Sequence, residues 1–236
     1  MLSHSNSELV SAEETYSVLM PPATPTYQPV SNKALILELD YMLEYKGWEV
    51  SERQYALANN GQRLFGCYKL EHHNTDLRPC LAFRNSYDKS VSLAVATGAK
   101  VLVCDNLQIF GDSFTMLRKH TPNVLNDMGN LIAQGIDSIE RDFNSNSERI
   151  LNYKDMPVSL DAGYSLLGIL RGRGLLNSKC YNIALREWQK PTLEEFTGRN
   201  LWSLYNTCTE GLKGLNANDA MGNYVKFDNS FKQLAA

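Results

Sequence analysis

The chain lacks any apolar run that approaches the roughly 20 residues of a membrane-spanning helix. Its first residues also lack a basic segment followed by an apolar one, so no secretory signal is predicted. The five cysteines show no CxxC spacing and lie in mostly apolar segments, which is typical of free thiols in a reducing compartment. We therefore expect a cytoplasmic protein that does not bind a membrane.

The sequence motifs of several enzyme classes are missing as well. No P-loop, GxGxxG, HExxH or GxSxG motif occurs. The pair His72-His73 has only Glu71 and Asp76 as neighbouring ligands, so we predict neither a metal site nor a cofactor. We assign no catalytic residue, and a binding protein is favoured over an enzyme.

Charges of the two signs are nearly balanced, since the formal net charge is −3 in 236 residues. This balance argues against a protein that is basic over its whole surface. The central segment from Arg63 to His120 is nevertheless positive, with eight Lys and Arg against five Asp and Glu. A local basic surface of this kind can bind phosphate. Uneven spacing of paired surface charges would give the same count.

The pattern of apolar residues changes from strands to helices along the chain. Strands are predicted at Arg63–Leu70 and Cys80–Phe83. They follow a connector at Trp48–Gly61, which ends in the turn signal Asn59-Asn60-Gly61. Two further apolar, β-rich runs follow at Val91–Thr97 and Lys100–Cys104, and they add one or two strands. From Thr121 onward, apolar residues recur every three or four positions, which predicts a helix of about 25 residues.

An earlier helix is predicted from Asn32 through Lys46, with Leu35, Leu39, Met42 and Leu43 on one face. Further helices are predicted at about 160–173, 178–189, 200–214 and 219–234. The sequence thus predicts an α+β fold, in which an antiparallel β-meander packs on a long amphipathic helix and a C-terminal helical bundle follows. Residues 1–30 contain four prolines and are predicted to form a flexible N-terminal arm. The predicted α+β core is 31–150, and the predicted C-terminal helical region is 151–236.

Polar clusters lie at the ends of the predicted central strands, where a rigid sheet presents functional groups. Arg84–Lys89 combines cations with an amide and hydroxyls, which suits phosphate. Arg118–Thr121 precedes the long helix, where backbone donors favour anions. Asp105-Asn106 suits a cation or a water. Each cluster also has a structural interpretation, as a strand-to-turn junction, a solvated loop or an Asx turn.

The central strands and the cluster after them read FRNSYDKSVSLAVATGAKVLVCDNLQIFGD and RKHT. These motifs resemble the signature of a phage- and plasmid-associated family classed as domain of unknown function 932. Two further parts of that family, its first hairpin and its C-terminal helices, resemble ALANNGQRLFGCYKL, EWQKPTLEEF and NLWSLYNTCTEGLK. The resemblance covers the chain from about Val30 onward and implies a mobile-element context but no activity.

The order of sheet and helix is also similar to that of single-strand annealing recombination proteins, which form rings around a basic groove for single-stranded DNA. Our first hypothesis is a phage- or plasmid-encoded protein that binds DNA, most of all single-stranded DNA, for annealing or protection, and that forms a homo-oligomer. The nucleic-acid-binding residues that it predicts are Arg84, Asn85, Ser86, Tyr87, Lys89, Asn106, Arg118, Lys119 and His120. The arginines and lysines would contact phosphates, and Tyr87 would stack on a base.

Two alternatives remain open at this point. In the first, the same surface binds a host defence protein and inhibits it. In the second, the protein is an enzyme that acts on a nucleotide or phosphoester, with Asp88, Asp105 and His120 in its site.

Overall fold

A computed structural model describes residues 7–73, 77–101, 107–109, 115–213 and 217–235 of the chain. Within these residues the protein has an α+β fold, in which an antiparallel sheet packs on a long helix and further helices follow at the C-terminus. This is the fold class that the sequence predicts.

The sheet is formed by antiparallel strands. The described strands are β1 (Glu8–Val10), β2 (Val50–Ala58), β3 (Arg63–Leu70), β4 (Leu77–Ser86), β5 (Leu93–Val101), β6 (Leu107–Ile109) and β7 (Thr115–Arg118). Strands β1 to β5 are neighbours in that order. Both β6 and β7 pair with the other edge of β5, β7 alongside its first residues and β6 alongside its last. The predicted meander is therefore confirmed.

Most helices begin at a polar side chain that accepts a hydrogen bond from the first turn. The described helices are α1 (Ala12–Ser17), α2 (Asn32–Tyr45), α3 (Val124–Asp155), α4 (Leu160–Gly172), α5 (Ser178–Gln189), α6 (Leu201–Leu212) and α7 (Ala217–Ala235). The capping residues of α1, α2, α4, α5 and α6 are Ser11, Ser31, Ser159, Asn177 and Asn200. With 32 residues, α3 is longer than the sequence predicts.

The two faces of the sheet belong to two apolar clusters, because successive side chains of a strand point to opposite sides. The larger side chains of one face pack with α2 and the first half of α3, and they include Leu64, Tyr68, Phe83 and Val95. The smaller side chains of the other face share a cluster with the second half of α3 and with α4 to α7, and they include Ala56, Cys67, Ala82 and Ala96. Helix α3 thus joins both clusters. The boundary predicted between residues 150 and 151 falls inside this helix.

The predicted arm contributes to the sheet. In its described residues, Glu8 of β1 pairs with Leu57 of β2, and α1 packs on α2. Near the end of the same segment, Tyr27 and Val30 are buried. The prolines do prevent regular structure where they occur, but the residues between them pack against the sheet.

The predicted connector at Trp48–Gly61 contains strand β2. Asn59, Asn60 and Gly61 adopt positive φ angles of 52°, 54° and 82°, which make the tight turn from β2 into β3. The sequence predicts this turn correctly but not the strand before it, because the first half of β2 is polar and half-exposed. The sequence predicts one or two strands from the runs on either side of Gly98 and Ala99. The structure has one strand there, β5, because Gly98 and Ala99 both pair with β4.

Candidate nucleic-acid interface

Two of the predicted clusters meet at one end of the sheet, although about thirty residues separate them in the chain. Strand β5 lies between β4 and β7, so that Arg84 is opposite Ala94 and Arg118 is opposite Leu93. His120 lies two residues after the end of β7, and its Nε2 atom is 2.8 Å from the Oδ1 atom of Asn85, the second-last residue of β4. Sheet topology therefore unites Arg84–Lys89 with Arg118–His120.

Arg63, at the start of β3, joins the same end of the sheet. It is opposite Ser86 in the register of β3 and β4, and its Nε atom lies 2.6 Å from a carboxylate oxygen of Asp88. Five cations are thus collected here, namely Arg63, Arg84, Lys89, Arg118 and Lys119. We call these five residues the basic end of the sheet.

Asn85 is the centre of a buried polar network beneath the basic end. It is fully buried. Its Nδ2 group donates to the carbonyl of Val30 at 2.7 Å and to the Oδ1 atom of Asn32 at 2.8 Å. Its Oδ1 atom is then the acceptor for His120, which places the proton of the neutral imidazole on Nε2. All the polar groups of the Asn85 side chain are therefore used inside the protein.

Ser86 and Tyr87 are also buried. The Ser86 hydroxyl donates to the carbonyl of Val91 at 2.8 Å across the turn into β5. The Tyr87 hydroxyl accepts from the backbone N–H of Asn32 at 2.9 Å, which satisfies an N–H group of the first turn of α2. Since only 5% of Tyr87 is exposed, its ring supports the start of α2 and is not placed to stack on a base.

The turn between β4 and β5 is held by Asp88. Its carboxylate accepts from Asn59 at 2.7 Å, from Arg63, and from both the backbone and the hydroxyl of Ser90. Burial alone would raise the pKa of Asp88, but these hydrogen bonds outweigh it and lower the pKa to about 2. Lys89 follows with a φ angle of 62° and is exposed, with its Nζ atom 4.4 Å from the centre of the Tyr27 ring.

The second cluster is held in a similar way. Arg118 forms an ion pair with Asp127 in the first turn of α3. Lys119 is exposed. His120 is 7% exposed, and burial lowers the pKa of its imidazole. Its backbone carbonyl accepts from the N–H of Gln28 at 2.9 Å, so the N-terminal segment is tied to this cluster too.

The electrostatics of the basic end favour anions. Among the described residues, the Asp88 carboxylate pairs with Arg63, and the Asp127 carboxylate pairs with Arg118. Helices α2 and α3 both begin at this end, and the N-terminus of a helix carries partial positive charge. Arg84 is half-buried, and its Nε group donates to the carbonyl of Ser92 at 3.3 Å. The exposed positive charge thus comes mostly from Lys89 and Lys119.

The predicted site residues fall into two groups. Asn85, Ser86, Tyr87 and His120 are brought together but lie in the interior, so their predicted contacts with nucleic acid are not available on this surface. Lys89, Arg118 and Lys119 lie at the surface near them. Arg84 lies at the same end of the sheet but on its other face, where its cross-strand neighbours are Phe65 and Ala94. Asn106 is outside the described residues.

Sequence reasoning missed Arg63 and the supporting residues of the N-terminal segment, Tyr27, Val30 and Asn32. For Arg63 a signal was present, because a residue at the start of a hairpin strand lies near the end of the partner strand. For the supporting residues there was none, since Asn32 and Asn85 are 53 positions apart.

The residues of the enzyme hypothesis do not form a reacting group in the described part of the chain. The Asp88 carboxylate is occupied by the turn, and the His120 ring is buried against Asn85. Asp105 lies outside the described residues. The described His, Cys, Asp and Glu side chains include no group of three that could hold a metal ion. Within the same ranges, no helix has the length and apolar character to cross a membrane.

Comparison with known proteins adds one match. A family model described as "Domain of unknown function (DUF932)" matches residues 23–217. The match includes the basic end, its buried network and α2 to α6. No curated protein and no solved structure matches the chain.

Proposed function

The chain belongs to the DUF932 family, and we propose that it is a nucleic-acid-binding protein that holds the phosphates of single-stranded DNA at the basic end of the sheet. The observation that supports this proposal is the convergence of two sequence-distant basic clusters over one buried network. A phage or plasmid context, and a role in annealing or protection of DNA, belong to the same proposal.

Lys89 and Lys119 make the main phosphate contacts in this proposal, and Arg118 and Arg84 add positive charge at the same end of the sheet, on opposite faces. The lysines are exposed, and they are compact charges that bind phosphate without a fixed geometry. Asn85, Ser86, Tyr87 and His120 support the surface from below. A rigid support lowers the entropy that is lost when the ligand binds.

Contacts made only to phosphates carry no sequence information. The proposal therefore predicts similar affinities for single strands of different sequence. It also predicts a steep dependence on salt, because each neutralised phosphate releases counterions.

The experiment is fluorescence anisotropy of a labelled oligothymidine, titrated at several salt concentrations. The test variant is Lys89→Asn/Lys119→Gln, in which asparagine is chosen because it tolerates the positive φ at position 89. We expect weaker binding at low salt. The slope of log affinity against log salt should fall by roughly 0.7 for each lost phosphate contact, or roughly 1.4 in total.

The matched control is Lys179→Gln/Lys190→Gln, which removes two exposed lysines from α5 and the residue after it. This control should bind as the wild type does. Absence of binding by the wild type at low salt would overturn the proposal, as would equal losses in the control and the test variant.

A further inference from the structure

Helix α2 carries a stripe of exposed apolar and aromatic side chains on its outer face. Leu37, Tyr41 and Tyr45 are 49%, 61% and 72% exposed. Their spacing of four places them on one side of the helix. The rings of Tyr41 and Tyr45 stack with centroids 6.2 Å apart and an angle of 20°. Because these rings already hold each other, they would lose little further freedom on binding.

A groove adjoins this stripe, between α2 and α3. It has a volume of about 390 Å³, and Met42, Leu125 and Met128 are among its lining residues. Leu125 is 47% exposed on the α3 side. At Gly129, a Cβ atom would lie 3.2 Å from a carboxylate oxygen of Glu38. The absence of a side chain there thus leaves room for Glu38, which lines the groove together with Asn126 and Asn130. The groove therefore adds both apolar and polar groups to the surface beside the stripe.

The charges along α2 indicate what this surface binds. One lysine, Lys33, lies in its first turn, and the carboxylates Glu38, Asp40 and Glu44 follow. The excess of carboxylates over lysines on α2 disfavours the binding of nucleic acid to this surface. Lys33 and Glu44 are both exposed, and they are eleven residues apart, which is about 16 Å along a helix. Two copies of α2 that pack antiparallel would place each Lys33 near Glu44 of the other copy.

We propose that α2 is the interface of a two-fold symmetric homodimer, with the stripe and groove of one protomer packed against those of its partner. A two-fold axis pairs a surface with itself, so it needs a self-complementary surface of this kind. Tyrosine is among the residues that contribute most to binding at interfaces. The first turn of α2 contacts Tyr87 beneath the basic end. The antiparallel arrangement therefore places the two basic ends at opposite ends of the paired helices.

The experiment is sedimentation velocity of the full chain over a range of concentrations. The wild type should shift from one chain mass to two as its concentration rises. Tyr41→Ala should raise the dimer dissociation constant about tenfold or more, and Tyr45→Lys provides a second variant. Leu151→Ala is the control, because Leu151 is 58% exposed on the distant half of α3.

A charge exchange tests the antiparallel register. Lys33→Glu and Glu44→Lys should each weaken the dimer, since each places like charges together at both symmetric contacts. The double variant Lys33→Glu/Glu44→Lys should restore it, because the pairs are then reversed but opposite. A wild type that stays monomeric at every concentration would overturn the proposal. Tyr41→Ala without effect would do so too, as would a double variant weaker than both single ones.

Dimerisation and DNA binding can fail independently. Tyr41→Ala changes no charge and leaves Lys89 and Lys119 in place, so the salt dependence of DNA binding per chain should not change in this variant. A variant of α2 that loses the dimer but still binds DNA would support the α2 interface, and it would show that DNA binding does not need the dimer.

Discussion

Replacement of Asn85 by alanine separates a structural role from a role in ligand contact. The side chain is fully buried and takes part in three hydrogen bonds, to Val30, Asn32 and His120. A buried hydrogen bond contributes about 1 kcal/mol, and a partner that is left unsatisfied costs about 1–3 kcal/mol. The free energy of unfolding should therefore fall by about 3 kcal/mol or more. At about 2–4 °C per kcal/mol for a chain of this size, the melting temperature should drop by about 6–12 °C.

Urea unfolding followed by circular dichroism measures this loss. Asn152→Ala is the control, because Asn152 is exposed on α3, away from the groove, and alanine is the better helix former there. The control should be neutral or slightly more stable. At a temperature where Asn85→Ala is still folded, its affinity for single-stranded DNA should remain close to that of the wild type. A loss of affinity without a loss of stability would refute the reasoning and place Asn85 in direct contact with the ligand.

Two further predictions concern packing and pH. Gly163→Ala should be strongly destabilising, because its Cβ atom would lie 2.2 Å from the Trp188 ring. Gly168→Ala in the same helix has open space and should stabilise the fold by up to about 1 kcal/mol. Thermal melts of both variants measure the two effects. Burial lowers the pKa of His120 below its ordinary value of 6.5. The unfolded chain therefore binds the proton first as the pH falls, and stability should decrease from about pH 6.5 down to the lowered pKa. His120→Gln cannot take up this proton, so the urea midpoint of this variant should depend less on pH below about pH 6.5 than that of the wild type. An equal pH dependence of the variant and the wild type would contradict the assignment of the effect to His120.

The sequence located the candidate site but did not predict which of its residues are buried and which are exposed. Both basic clusters were recognised from residue types at strand ends, and the register of β4, β5 and β7 places them at the same end of the sheet. The roles of Asn85 and Tyr87 could not be recognised in this way. A polar residue beside a lysine in the chain is equally compatible with solvent and with a buried network, because burial depends on what packs over it.

The proposed dimer surface lies opposite the side of α2 that the sequence predicts to be buried. The spacing of Leu35, Leu39 and Leu43 predicts the core side of this helix, and these residues are buried in the structure. The sequence does not say whether another element covers Leu37 and Tyr41, and the tertiary structure leaves both exposed.

The sequence alone determined the features that depend on neighbouring residues. These are the α+β class, the position of the central strands before the long helix, the bounds of β3 and α5, and the turn at Asn59-Asn60-Gly61. Local periodicity and turn chemistry are sufficient for them. The tertiary structure decided which polar residues are buried, how the N-terminal segment joins the sheet, and that β7 lies beside β5. These features depend on contacts between residues that are far apart in the chain, and a local pattern contains no information about them.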